Sequence, residues 1–321
     1  ARASGSTDGT GSAARFTQPY SLAYVGPDSL YVCDTYNSTI RKIVISTGVV
    51  TTFAGTAGTS GATDGTGSAA RFSFPADIVY DGSGNLYVTD MFNVTVRKIV
   101  ISTAEVTTLA GGAPGGADGT GAAAQFSLPA FITYDGSGNL YVTDAGGHTV
   151  RKIVISTAAV TTLAGTYGAS GSTDDTGSAA RFNFPTGITY DGSGNLYVAD
   201  GQNYTIRKIV ISTAAVTTFA GTAGASGSTD DTGSAARFLF PSDIVYDGSG
   251  NLYVIDAYNY IVRKIVISTA AVTTLAGTAG ASGSTDGTGS VARFNNMYGI
   301  TYGSGKLYVA DSQNCTIRTI A

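Results

Sequence analysis

Short apolar runs separated by turn chemistry follow one another along the whole chain. Between residues 63 and 111 the runs Ile78 to Tyr80, Leu86 to Thr89, Thr95 to Ser102 and Val106 to Leu109 are rich in β-branched and aromatic residues, the composition of half-buried strands. Asp81-Gly-Ser-Gly84 reads as a tight hairpin connection, in which glycine supplies positive φ. Met91 to Asn93 and Ser102-Thr-Ala104 read as two further turns. Thr63 to Arg71 is small and Gly-rich and reads as a loop. Phe72 and Pro75 end that loop, and a proline, with no N–H to donate, suits a strand entrance. One unit is thus four short antiparallel strands, a to d in chain order.

The unit recurs. Its arginine appears as Arg41, Arg97, Arg151, Arg207, Arg263 and Arg318, at steps of 56, 54, 56, 56 and 55 residues. So regular a period marks one copied supersecondary unit. Four short strands are not stable alone, but six such units stacked radially bury both faces of every sheet and protect most edges. The fold expected is all-β: a single six-bladed β-propeller over residues 1–321. A solenoid needs capping repeats, and none is visible. Strand d occurs five times, near Val50, Val106, Val160, Val216 and Val272, and the sequence ends on strand c at Thr319-Ile-Ala321. The last blade therefore lacks its outer strand within this sequence; either residues outside this fragment supply it, the simpler expectation, or another chain donates one by β-augmentation.

Strand alternation sorts the connections onto two faces. The a–b and c–d turns share one face; the b–c turns and the long d–a loops share the other. The b–c turns are where the copies differ most: Thr35-Tyr36, Met91-Phe92, Ala145-Gly146, Gly201-Gln202, Ala257-Tyr258 and Ser312-Gln313. Variation at loops on a rigid scaffold suggests that this face meets a partner, with Tyr36, Phe92 and Tyr258 as binding-face candidates.

Charge narrows the partner. There are 18 Lys and Arg against 22 Asp and Glu, for a net charge of −4. All the basic residues except Arg2 and Lys306 occupy three repeat positions. Such placement fits structural pairing and argues against a nucleic-acid footprint. No stretch of 18 apolar residues is present, so no membrane span is expected. With no signal peptide and no initiating Met, Ala1 is expected to be a mature terminus or the edge of a fragment.

The pattern Pro-x-x-Ile-x-Tyr-Asp-Gly-Ser-Gly-Asn-Leu-Tyr-Val-x-Asp-x-x-Asn-x-Thr-Val-Arg-Lys-Ile, over residues 75–99, resembles the NHL-repeat family of six-bladed propellers, and the resemblance covers nearly the whole chain. It departs where that family often has His after the turn Asn: Ser38, Val94, Tyr204, Tyr260 and Cys315 stand there, and only His148 keeps it. The family includes RNA binders, interaction scaffolds and extracellular modules and resembles some propeller enzymes, so the fold does not choose the function.

Several constellations bear on chemistry. Asn37, Asn93, Asn203 and Asn314 each open an Asn-x-Ser/Thr sequon; in a secreted protein they are candidate glycosylation acceptors, and otherwise they are turn residues bonded to local backbone. Cys33 and Cys315 fall in blades that are neighbours in a closed ring, so a disulfide is one expectation and two free thiols the other. Asp34, Asp90, Asp144, Asp200, Asp256 and Asp311 form a ring expected to pair with the repeat arginines. Asp77 and Asp243 occur only in repeats two and five; they are weak cation candidates at the channel mouth. A single His, His148, excludes a multi-His metal centre and argues against a Ser-His-Asp triad, and no phosphate-cradling loop is present. No catalytic residue, cofactor or dedicated metal site is expected. The function expected is a non-enzymatic, extracellular interaction or structural module, assembling through a protein partner or the open edge of blade six into a glycosylated filament or surface assembly. A carbohydrate-binding propeller is the alternative, and a propeller enzyme with a site at the channel mouth comes third.

Overall fold

The computed structural model describes residues 3–321 and contains six blade sheets; Ala1 and Arg2 lie outside the described residues. In blade two, Pro75–Tyr80 is the innermost strand, followed outward by Asn85–Asp90, Thr95–Val100 and Glu105–Gly111. The inner strand of each blade contacts the inner strand of the next, and that of blade six contacts that of blade one, which closes the ring. Among the described residues helical geometry is limited to 3-10 turns, and no helix is long and apolar enough to cross a membrane.

Period-two alternation buries both sides of each blade. On one side Leu86, Val88, Ile99 and Val106 pack with Tyr31, Cys33 and Ile40 of blade one. On the other, Tyr87, Val96 and Ala110 pack with Ile132, Leu140 and Val142 of blade three. The same alternation overturns the disulfide expectation. Cys33 belongs to the side of blade one that faces blade two, whereas Leu30 and Val32 face Tyr308 and Ala310 of blade six. Cys33 and Cys315 are both free thiols.

Part of the segment read as loop is ordered into the blade. Gly65–Thr66 pairs antiparallel with Val106 and Glu105 and forms a fifth, outermost strand. Its composition carries no strand signal; Asp64 fixes it, accepting from Thr108 N at 3.1 Å and Thr108 Oγ1 at 2.9 Å. A 3-10 turn at Gly67–Ala69 follows. Strand c ends at Val100, two residues earlier than expected, because Ala104 at φ +56 closes the turn by donating its N–H to Val100 O.

Five of the repeat arginines, Arg41, Arg97, Arg151, Arg207 and Arg263, are wholly buried, and Arg318 is partly exposed. Arg97 donates to Asp90 Oδ2 at 2.8 Å, to Asp64 Oδ1 at 2.7 Å and to the carbonyls of Arg71 and Thr63. Its guanidinium carbon lies 5.3 Å from the centre of the Phe72 ring. One planar group thus ties strand b, the crossing loop and strand c together, the use for which a guanidinium fork suits better than an ammonium. The arrangement repeats in the other blades, except that in blade three Arg151 stands 3.7 Å from Asp144 and hydrogen-bonds Asp118 at 2.9 Å.

Blade six has three strands, Gly299–Gly303, Lys306–Asp311 and Thr316–Ile320. Beside Thr316–Ile320, where the other blades hold strand d, lies a cavity of about 450 Å³ lined by Ala276, Phe294 and Ile320. The side chain of Asp286 is 94% exposed there, against 45% for Asp230 in blade five; Asp230 is partly covered by Thr274 of its strand d, which bonds to it.

Candidate binding site at the channel mouth

The b–c turns and the ends of the d–a loops meet on one face, as strand direction requires. In five blades the second residue of the turn donates its N–H to the loop: Tyr36 N to Thr17 O at 3.3 Å, Phe92 N to Ser73 O at 3.1 Å, Gln202 N to Asn183 O at 3.1 Å, Tyr258 N to Leu239 O at 3.3 Å and Gln313 N to Asn295 O at 3.2 Å. The side chains at this place form a rim. Tyr36, Phe92, Gln202, Tyr258 and Gln313 are exposed, and Gly146 leaves a gap in blade three. The aromatic side chains are 56%, 61% and 46% exposed at Tyr36, Phe92 and Tyr258.

Inside the rim stand the residues just before strand a: Gln18, Phe74, Leu128, Phe184, Phe240 and Asn296. All but Leu128 have positive φ, from 45° at Asn296 to 60° at Phe74 and Phe240. A bulky L-residue in this region is strained, at about 1–3 kcal/mol each, and such strain concentrates at functional sites. In return the aromatic rings are turned to meet the rim. Phe74 stacks on Phe92 at 4.6 Å and takes edge contacts from Tyr36 and Tyr20, both at 5.4 Å. Phe240 stacks on Tyr258 at 4.9 Å and lies 6.4 Å from Phe184. Tyr20 and Tyr298 stack at 4.3 Å with planes 9° apart and bridge blades one and six. Burial raises the Tyr20 and Tyr298 phenols, and nearby Tyr36 and Tyr258 push both further up.

Deeper in, the inner strands of neighbouring blades pack closely. Gly187 packs so near Asp243 that a Cβ would meet its Cα at 2.4 Å, and a Cβ at Gly299 would meet the Cα of Ser21 at 2.6 Å. Asp77 accepts from Ser21 Oγ, from Ile78 N at 2.8 Å and from Ile132 N at 2.7 Å. Asp243 accepts from Ile244 N at 2.7 Å and Ile300 N at 2.8 Å. Burial pushes Asp77 up to about 6 and raises Asp243 further, with the Asp77 charge adding to it. These carboxylates, expected as cation candidates, instead lace neighbouring blades through backbone donors. No group of three or more metal-ligating side chains occurs among the described residues.

The sequon asparagines also have structural roles. Asn203 Nδ2 donates to Asp200 Oδ2 and to Gly171 O, both at 2.7 Å. Asn37, Asn93 and Asn314 make the matching pairs of bonds. Asn203 and Asn314 are buried. A sugar on this nitrogen would occupy the slot of a loop carbonyl, so the expectation of surface acceptors does not fit the geometry. His148 is likewise structural. Its Nδ1 accepts from Phe184 N at 3.1 Å, and burial lowers its pKa. The sequence reading found the rim aromatics but missed Tyr20, Phe74, Phe184, Phe240 and Tyr298. For Tyr20, Phe74, Phe184 and Phe240 an aromatic beside the strand-entry proline was the available signal; Tyr298 follows Met297, which replaces that proline in repeat six.

The NHL repeat family pattern matches residues 182–209. The chain is 28% identical over 284 residues to Protein SUPPRESSOR OF QUENCHING 1, chloroplastic, of Arabidopsis thaliana, covering 83% of this chain and 26% of that protein. It is 28% identical over 294 residues to human NHL repeat-containing protein 2, covering 81% of this chain and 40% of that one. The chain thus spans well under half the length of these relatives. Among solved structures, a protein of unknown function from Bacteroides thetaiotaomicron superposes with a TM-score of 0.76 at 23% identity, over 98% of this chain and 72% of its own.

Proposed function

We propose that this NHL-repeat propeller is a non-enzymatic interaction module, extracellular in setting, whose working surface is the aromatic mouth on the face of the b–c turns. One observation carries the reading: near-identical repeats diverge at the rim, and there they present exposed, uncharged aromatics over strained inner residues. The titratable groups are committed elsewhere. The ring aspartates bind arginine, Asp77 and Asp243 bind backbone N–H groups, and His148 accepts from Phe184. Loops on a rigid scaffold are where binding residues concentrate. The test is to compare the wild type with Tyr36→Ala/Phe92→Ala/Tyr258→Ala as bait in native extract. The reading expects partners lost from the variant and retained by Ser83→Arg on the opposite face. Equal recovery by all three baits contradicts it.

A further inference from the structure

We infer that the channel mouth is a carbohydrate site, taking an uncharged oligosaccharide across Tyr36, Phe92 and Tyr258; the assignment rests on the loop-face reading above and names its ligand class. The first argument is charge. None of the rim residues or the residues just inside them carries a formal charge. A phosphate-bearing or polyanionic ligand needs Lys or Arg, and an acidic ring is what a polycation needs. Both are absent from these positions.

The second argument is hydrogen-bonding type. Four amide side chains stand at the mouth: Gln18 and Asn296 inside, Gln202 and Gln313 on the rim. A sugar hydroxyl both donates and accepts, and the side-chain amide is the neutral group that answers both demands. The hydroxyls of Tyr36 and Tyr258 have the same dual character.

The third argument is shape. The stacked pairs Phe74–Phe92 and Phe240–Tyr258 each have one ring held from behind by the other. The outer ring in each pair is exposed and therefore presents a rigid, electron-rich face. The polarised C–H face of a pyranose fits such a plane. The positive φ at Phe74 and Phe240 keeps the backing rings in place.

The test is calorimetric titration of the intact chain with cellohexaose, xylohexaose, mannohexaose and laminarihexaose. Polygalacturonate and a proline decapeptide serve as contrasting probes. At least one neutral hexasaccharide is expected to bind, with affinity unchanged between 0.05 and 0.5 M NaCl. Phe92→Ala and Tyr36→Ala, both at exposed positions, are expected to weaken it about tenfold or more each, the loss typical of an aromatic hot spot, while thermal unfolding stays within 2 °C of wild type. Gln313→Leu is expected to weaken the same ligand without altering the aromatic platform. Failure of all four hexasaccharides, or binding that Phe92→Ala and Tyr36→Ala leave intact, overturns the assignment. Binding of the decapeptide alone, abolished by Phe92→Ala, overturns the carbohydrate class while sparing the loop-face reading.

Discussion

Replacing Arg97 with Met tests the buried arginine network in isolation, because Arg318 provides an internal control of identical chemistry in a different setting. Arg97 and Asp90 are both fully buried and joined at 2.8 Å. Without the guanidinium, Asp90 keeps only the N–H of Ser73 and the amide of Asn93, each at 2.7 Å. Breaking a buried pair by removing one partner costs about 3–5 kcal/mol, since the other charge is left uncompensated. The half-exposed Asp64 contact adds at most about 1 kcal/mol. Met restores much of the volume and contact with Phe72, so little is added for a cavity. Arg318 is 13% exposed and its outer partner Asp286 is 94% exposed; water reaches the site, and Arg318→Met is expected to cost about 1–2 kcal/mol. Urea unfolding followed by far-UV circular dichroism measures both, with the slope m checked for constancy. Asp90→Leu/Arg97→Met should recover part of the single-variant loss. Equal losses at the two arginines, or a loss below about 1 kcal/mol at Arg97, would refute the claim that burial makes this network structural.

Other outcomes follow from the same structure. Asp77 and Asp243 have folded-state pKa values above the ordinary carboxylate value, so the folded chain holds more protons than the unfolded one between about pH 4 and 6. Their contribution therefore favours unfolding as pH rises through that window; the urea midpoint is expected to be higher at pH 5 than at pH 7.5, with a flatter profile in Asp243→Ser. Gly165 has φ +90, and a Cβ there would meet His148 O at 2.5 Å; Gly165→Ala should cost more than about 2 kcal/mol, whereas Gly168→Ala, with open space around it, should cost about 1 kcal/mol for its backbone alone. When the chain is routed through a eukaryotic secretory pathway, intact mass should show Asn203 and Asn314 unmodified in the folded fraction. Full occupancy at either with an unchanged circular dichroism spectrum would contradict their clamp role.

The architecture was legible because each repeat states it six times. The Pro75 strand entrance, the Asp81 to Gly84 hairpin and the Arg97 step each survive averaging over copies, and the alternation of Leu86, Tyr87 and Val88 announces a sheet buried on both sides. The outermost strand Gly65–Thr66 was not legible, since Asp64 and its bonds to Thr108 and Arg97 hold it across 33 to 44 residues of sequence. The rim was half legible. Exposed Tyr36, Phe92 and Tyr258 stand out as departures between copies. Phe74 and Phe240 look like core residues until their positive φ turns them toward the mouth. Cys33 misled because ring adjacency says nothing about which side of a strand a residue occupies.

Site-specific photo-crosslinking tests the central claim most directly. A benzophenone residue placed at Tyr36 on the mouth, or at Ser83 on the opposite face, samples the two surfaces of one folded molecule under native conditions. Crosslinked products from position 36 and none from position 83 are the predicted result. Products from position 83 alone would contradict the claim that the aromatic mouth is the working surface.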